Sequence, residues 1–339
     1  MLLSILLIII AGIFLGSFGV GMKYTEPLAY EAWWSLYVVV GMVIVPLLCA
    51  FLTVPDLADV IATAPKGAVY NAMLYGFLWG VGGLMFGISV GYVGVSITYG
   101  VVMGLSGSIG SLIPFFRMEN ATANPAFPFV MLGVGIMLLG VGFAAVAGVK
   151  RDNLMSKNEE NKEEAEKKSS MTGLIIVIIC GVLSSLINVG FDYALPVAAN
   201  AVEYGAIPRN ASFAAWVVVL IGALALNTGY ILFMLVKNNT WHTYKAAGSK
   251  KAYGWGLLSG LLWFLGLGVY GQGASLMGKL GTVVGWPMFL GLALIVSNIW
   301  AIKAGEWKGA TGPLKLMGVS VFILIIACGT LGYANSLMS

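Results

Sequence analysis

Few side chains in this sequence could do chemistry, and their types narrow what that chemistry is. The single histidine, His242, stands in a charged loop beside Trp241 and Tyr244, so neither a histidine metal centre nor a nucleophile, histidine and acid triad can be assembled. Cys49, Cys180 and Cys328 each lie in an apolar run without CxxC spacing. They read as small buried apolar residues, not as a disulfide framework or thiolate site. No GxxxxGK[ST] phosphate loop occurs, which removes ATP-driven work by this chain alone. The expectation is a protein that is not an enzyme and needs no cofactor or metal. What remains are ionisable groups at the ends of apolar runs: Lys23, Glu31, Asp192 and Lys279. Charge placed there is costly unless it is used or paired. Glu31 stands in Leu28-Ala29-Tyr30-Glu31-Ala32-Trp33-Trp34, an apolar aromatic setting suited to a proton carrier. The alternative is a wetted carboxylate at a helix N-terminus, favoured by the helix dipole. Asp192 faces the same choice. Lys23 and Lys279 can snorkel to lipid headgroups, and Lys23 could instead pair with Glu31 as a gate.

Neutral polar groups inside apolar runs point to an uncharged ligand. Asn188, Asn227 and Gln272 carry both donors and acceptors, so burying them requires either bonds between helices or a ligand. Trp79 and Trp263 fall near the middle of their runs, away from the interfacial belts where membrane Trp and Tyr gather. A mid-span indole offers a flat apolar face and one N–H, a pairing suited to the CH face and hydroxyl rim of a sugar; ordinary packing is the other reading. Trp34, Tyr99 and Trp286 sit nearer run ends and lean toward the belt.

These groups must be positioned by membrane helices. Of 339 residues 59% are apolar and 9% charged, too few polar side chains to cover a water-facing surface. Runs of about 20 apolar residues, the length that crosses a bilayer core, fall at about 2–22, 30–54, 69–92, 95–116, 128–149, 172–193, 210–236, 253–273, 280–302 and 314–336. The sequence thus predicts an all-α polytopic membrane protein with ten transmembrane helices. The formal net charge of +4 reports orientation, not a nucleic-acid partner. Fourteen of the eighteen Lys and Arg fall in odd-numbered loops, which places those loops in the cytoplasm and both termini outside. The first run shows no basic leader and no cleavage signal before Lys23, and is expected to be retained as a span.

The mixed-charge stretch 150–170 divides the chain into halves, 1–149 and 171–339, of five spans each. An odd count forces the second half to enter from the opposite side, the inverted-repeat arrangement of secondary transporters. Two internal matches agree with a repeat: Gly87 with Gly94-Val95-Ser96 against Gly266 with Gly273-Ala274-Ser275, each before a very short turn, and Val20-Gly21-Met22-Lys23-Tyr24 against Val189-Gly190-Phe191-Asp192-Tyr193. Chance similarity between glycine-rich apolar helices is the alternative. Glycine is abundant, at 46 residues, and the pairs Gly12/Gly16, Gly87/Gly91 and Gly100/Gly104 are spaced to line helix contacts.

Several segments then resemble a known family. Leu78-Trp79-Gly80-Val81-Gly82, Phe86-Gly87-Ile88 and Gly91-Tyr92-Val93-Gly94-Val95-Ser96, with Tyr30-Glu31-x-x-Trp34-Ser35 and Gly305-Glu306-Trp307, look like the bacterial L-rhamnose/proton symporter family of the drug/metabolite transporter superfamily. Cys180-Gly181-x-x-Ser184 and Leu261-Leu262-Trp263 extend the resemblance over nearly the whole chain. It implies two inverted five-helix repeats in the bacterial inner membrane, acting as monomer or homodimer. Inside them a small neutral sugar would move by alternating access with H+ as coupling ion, Na+ being the alternative. In this picture Trp79 and Trp263 stack on the sugar, Asn188 and Gln272 bond its hydroxyls, Trp34, Tyr99 and Asn227 add to the site, and Glu31, Asp192 or Lys23 couples or gates. Where the family pattern has a Gln in span eight and an Asp opening span nine, Gly266 and Thr282 stand here, so a different sugar or sugar derivative is open. The competing reading is an exporter of amino acids or other small metabolites. Every Asp and Glu lies at a span end or in a loop, which favours a neutral substrate.

Overall fold

The computed structural model describes residues 2–156 and 171–337. Ten of its helices are long and apolar enough to cross a membrane: α1 (Leu2–Tyr24), α2 (Tyr30–Thr53), α3 (Lys66–Val93), α4 (Val95–Phe116), α5 (Phe127–Met155), α6 (Met171–Glu203), α7 (Ser212–Lys237), α8 (Ser249–Leu276), α9 (Gly278–Lys303) and α10 (Thr311–Ser336). No strand occurs among the described residues. In hydrocarbon each backbone N–H and C=O must be satisfied inside the chain, and a helix does this within one segment.

The predicted spans agree with the helices to a few residues, with two informative excesses. The helix of α5 runs on to Ser156, through Lys150, Arg151 and Asp152, because charge ends the hydrocarbon crossing but not the helix, and Lys and Arg are good helix formers. The first part of the expected linker is therefore helical, and the rest of it, 157–170, lies outside the described residues. After Tyr193 the α6 backbone pauses at Ala194 and resumes as Leu195–Glu203 with a proline in its first turn, where a missing N–H costs nothing. Two further irregularities bear on function. α1 tightens into a 3-10 turn over Gly19–Tyr24, and α2 widens into a π-helical stretch at Val39–Ile44 just before Pro46, which has no N–H to continue the regular ladder.

The chain packs as two compact units that are not its two sequence halves: Met1–Gly80 with Gly190–Leu276, and Val81–Val189 with Met277–Ser339. The first holds α1, α2, the opening of α3, the end of α6, α7 and α8. Its helices meet backbone to backbone. A Cβ added at Gly76 would stand 2.0 Å from the Val219 carbonyl oxygen, and one at Gly222 1.9 Å from that of Met73, so only glycine permits this crossing of α3 and α7. The second unit holds the rest of α3, α4, α5, most of α6, α9 and α10. Here glycines more often receive side chains: Leu331 against Gly133, Leu324 against Gly140 and the Trp286 indole against Gly110.

The glycine pairs divide accordingly. Gly100 and Gly104 pack on Ala145 and Val141 of α5, and Gly12 and Gly16 are buried, whereas a Cβ at Gly87 or Gly91 would meet nothing within 4 Å. The first sequence match between the halves does not carry into the turns. α3 turns into α4 at Gly94, φ +81°, but α8 turns into α9 at Gly278, φ +70°. Gly273 lies inside α8, where a Cβ would stand 3.2 Å from the Ser4 carbonyl oxygen, so its smallness serves the contact with α1.

Candidate functional site

In the first unit one side of α2 presents Trp34 and Tyr37, three residues apart and therefore neighbours on the helix surface. Their rings stack with centroids 4.6 Å apart. Tyr37 leans on Trp263 of α8 at 5.5 Å, and Trp263 stacks on Trp79 of α3 at 5.7 Å and 21°. Trp34 Nε1 donates to Asn227 Oδ1 of α7 at 3.3 Å, while Asn227 Nδ2 donates to the Ala223 carbonyl oxygen at 3.0 Å. Four helices thus bring Trp34, Tyr37, Trp79, Trp263 and Asn227 into one group of aromatic faces and amide. The widened stretch of α2 helps place it. A Cβ at Gly41 would lie 2.9 Å from the Gly260 carbonyl oxygen and 3.1 Å from the Trp263 ring, and a Cβ at Gly80 3.4 Å from Asn227 Nδ2. Such a group can stack on apolar ring faces and exchange hydrogen bonds with hydroxyls.

Glu31, at the start of α2, is buried. Its Oε1 accepts from Asn238 Nδ2 at 3.0 Å and Thr240 Oγ1 at 2.6 Å, and the Glu31 backbone gives the carboxylate a further hydrogen bond. The surroundings are thus polar as well as aromatic. Ser35 and Tyr244 share a hydrogen bond of 2.7 Å, and the Ala29 N–H reaches Thr243 Oγ1 at 3.4 Å, so the opening of α2 is held by the α7–α8 connection. Lys23 is exposed in the closing turn of α1. Asp192 is half-buried and interacts electrostatically with Tyr270, and Gln272 Nε2 donates to Asn210 Oδ1 at 2.8 Å.

Asn188, Tyr99 and Trp286 belong to the second unit. Asn188 is fully buried and donates to the carbonyl oxygens of Gly110 at 2.7 Å and Thr282 at 2.9 Å, tying α6 to α4 and α9. Thr282, one of the two departures from the family pattern, thus serves through its backbone. Gly266, the other, lets α8 approach α1, its Cβ position lying 3.2 Å from the Leu15 backbone nitrogen. Trp286 is no belt residue: it is 3% exposed and Nε1 donates to the Ser106 carbonyl oxygen at 3.0 Å. Tyr99 meets Phe86 edge-on at 5.2 Å.

Sequence reading missed two sets of residues. Tyr37 joins Trp34 to Trp263, and its spacing from Trp34 was the available signal. The second set surrounds Arg151, whose guanidinium binds Asp152 Oδ1 through Nε at 3.0 Å and Nη2 at 2.8 Å, reaches Glu306 at 3.5 Å and lies 4.9 Å over the Trp307 ring. Ser96 donates to the other Asp152 oxygen at 2.6 Å. Partners more than 150 positions apart gave no local signal.

Ten apolar helices with buried indoles, an amide and a carboxylate among them describe a multi-pass membrane protein. The family of L-rhamnose-proton symport protein (RhaT) matches residues 1–336, and the chain belongs to it. It is similar to the L-rhamnose-proton symporters of Yersinia pestis (strain Pestoides F) and Yersinia pseudotuberculosis serotype I (strain IP32953), each 23% identical over 325 residues that cover 91% of either chain. The family resemblance read from the motifs is thereby confirmed.

Proposed function

We propose that this protein is a proton-coupled symporter of a small neutral sugar, with L-rhamnose the first candidate, working by alternating access in the bacterial inner membrane with both termini outside. The observation that carries the reading is the group of Trp34, Tyr37, Trp79, Trp263 and Asn227. Trp79 and Trp263 contact each other, so a sugar ring stacks on an outer face of the pair rather than between the indoles. Asn227 is held by Trp34, a side-chain partner, and its amide can exchange that bond for a sugar hydroxyl at little net cost. Glu31 is the coupling group in this reading: Oε1 is occupied by two donors and Oε2 is the atom that takes the proton. A protonated carboxyl gains a donor and loses its charge, so proton uptake alters how Glu31 holds Asn238 and Thr240 at the α7–α8 connection. The two five-helix sequence halves are the inverted repeats of this scheme.

The test is uptake of a panel of labelled sugars by proteoliposomes under an imposed pH gradient, a sodium gradient or neither. Accumulation of one sugar with the pH gradient alone is expected. Uptake that follows only sodium would reassign the ion, and no gradient-dependent uptake of any sugar by folded protein would shift the reading to export of another metabolite.

A further inference from the structure

The second unit contains a half-open cavity of about 180 Å3 lined by α4, α5, α9, α10 and the α9–α10 connection, and formed by residues of that unit alone. Ser96, Tyr99, Arg151, Asn298, Glu306 and Trp307 supply its polar wall. Its dimensions admit a definite class of molecule, since an apolar cavity of about 150 Å3 takes up benzene. A six-membered ring with a few substituents fits; a disaccharide exceeds this volume.

Charge and hydrogen-bonding capacity narrow the class further. Arg151 is the cation of the wall, and it is already matched by Asp152 at 2.8 Å and Glu306 at 3.5 Å. A charged ligand would have to displace one of these partners, whereas a neutral one need not. Several polar atoms of the wall are unspent. Trp307 is 4% exposed and its Nε1 is buried without a hydrogen-bond partner, which is costly unless a ligand or water supplies one. Among the described residues no protein group bonds the Tyr99 hydroxyl, and Asn298 uses its Nδ2 on the Leu294 carbonyl oxygen while Oδ1 stays open. A donor, an acceptor and a hydroxyl that is both, beside an indole and the apolar side chains of Leu294 and Met317, suit a ring bearing several hydroxyl groups.

We infer that this cavity is a second sugar site, taking one neutral monosaccharide, built independently of the aromatic group in the first unit. Occupancy would fix Arg151, Glu306 and Trp307, which already join the end of α5 to the α9–α10 connection, so sugar bound here would modulate the carrier. The choice of a sugar rests on the proposed function; the cavity, its size and its unspent polar atoms do not.

The test is protection of an engineered thiol. With the three native cysteines changed to alanine, Ser297→Cys places a thiol on the cavity wall, and its reaction rate with a water-soluble maleimide is measured with L-rhamnose, with maltose and with neither, in parallel with proton-driven uptake. At L-rhamnose several times its dissociation constant the rate should fall about fivefold, following the free-site fraction. Maltose should leave it unchanged, and the protection should survive Trp79→Ala. Uptake without protection overturns the inference and leaves the proposed function standing; protection that vanishes in Trp79→Ala overturns it too, as an effect transmitted from the first unit. Protection without uptake supports the site and removes the transport reading. Failure of both removes both. A second measurement needs no cysteine replacement: equilibrium dialysis of labelled L-rhamnose should give two bound molecules per chain, one of them lost in Tyr99→Phe/Asn298→Leu. A stoichiometry of one that is unaffected by those changes would contradict the second site.

Discussion

Asn227 and Asn188 are the same residue type, both buried inside membrane helices, yet they are held differently. Asn227 of the first unit is bonded across the bundle to another side chain, the Trp34 indole, and its remaining bond returns to its own helix. Asn188 of the second unit donates through its Nδ2 to carbonyl oxygens of two other helices. Several neighbours repeat the contrast, while Ser96 and Arg151 of the second unit bond side chains and Ser259 of the first bonds the Phe18 carbonyl oxygen. In the first unit Glu31 meets Asn238 and Thr240, Ser35 meets Tyr244, and Gln272 meets Asn210; in the second, Ser106, Ser111, Trp286 and Ser320 all donate to backbone carbonyls of other helices. Side-chain partners can rotate away and be replaced by ligand hydroxyls. Helix carbonyls cannot, so bonds to them act as fasteners. The lesson is that a buried polar residue in a membrane helix is assigned by what it bonds to rather than by its type.

The largest expected effect tests how the first unit is packed. Gly222→Val would drive a side chain into the Met73 carbonyl, where a Cβ already stands 1.9 Å away, and should cost about 3 kcal/mol or prevent recovery of folded protein. In the second unit, Gly110→Ala meets the buried Trp286 indole, a side chain rather than backbone, and should cost about 1–2 kcal/mol; thermal unfolding of the purified variants measures both. Next is Asn188→Leu, which removes two fastening bonds and should lower stability by about 2 kcal/mol while altering the sugar KM of the surviving folded protein less than Asn227→Leu does. Asn227→Leu should reverse that pattern, with sugar uptake efficiency down about tenfold, equivalent to about 1.4 kcal/mol, and a smaller loss in melting temperature. If Asn188 proves the more damaging to KM, the contrast between the units is broken. The smallest effect belongs to Trp34→Phe, which keeps an aromatic face but frees Asn227, and should raise KM about two- to threefold, in line with about 0.6 kcal/mol for one hydrogen bond inside a membrane.

Much of the fold was legible because the hydrocarbon core imposes its length on the sequence: the second run was read as 30–54 and the helix is Tyr30–Thr53. The end of α5 was misread for the same reason, since Lys150 and Arg151 mark where lipid ends and the helix does not stop there. Trp79 and Trp263 were legible as mid-span indoles, and they do meet. Asn188 and Asn227 were indistinguishable in sequence because the difference lies in their partners. Gly273 was matched to Gly94 in sequence, yet it lies inside α8, where its contact with α1 explains its smallness. Arg151 was counted as a loop charge because Glu306 and Trp307 reach it from a distant connection.

The most direct measurement is sugar movement by Glu31→Gln beside the wild type, in proteoliposomes without sodium. Wild-type protein should accumulate labelled L-rhamnose when the pH gradient is imposed and exchange it when unlabelled sugar is trapped inside. Glu31→Gln should keep the exchange and lose the accumulation, because the sugar group in α2, α3, α7 and α8 is intact while the proton-binding oxygen is gone. Accumulation undiminished in Glu31→Gln would contradict the coupling role of that carboxylate, and a folded wild type that neither accumulates nor exchanges any sugar would contradict sugar symport itself.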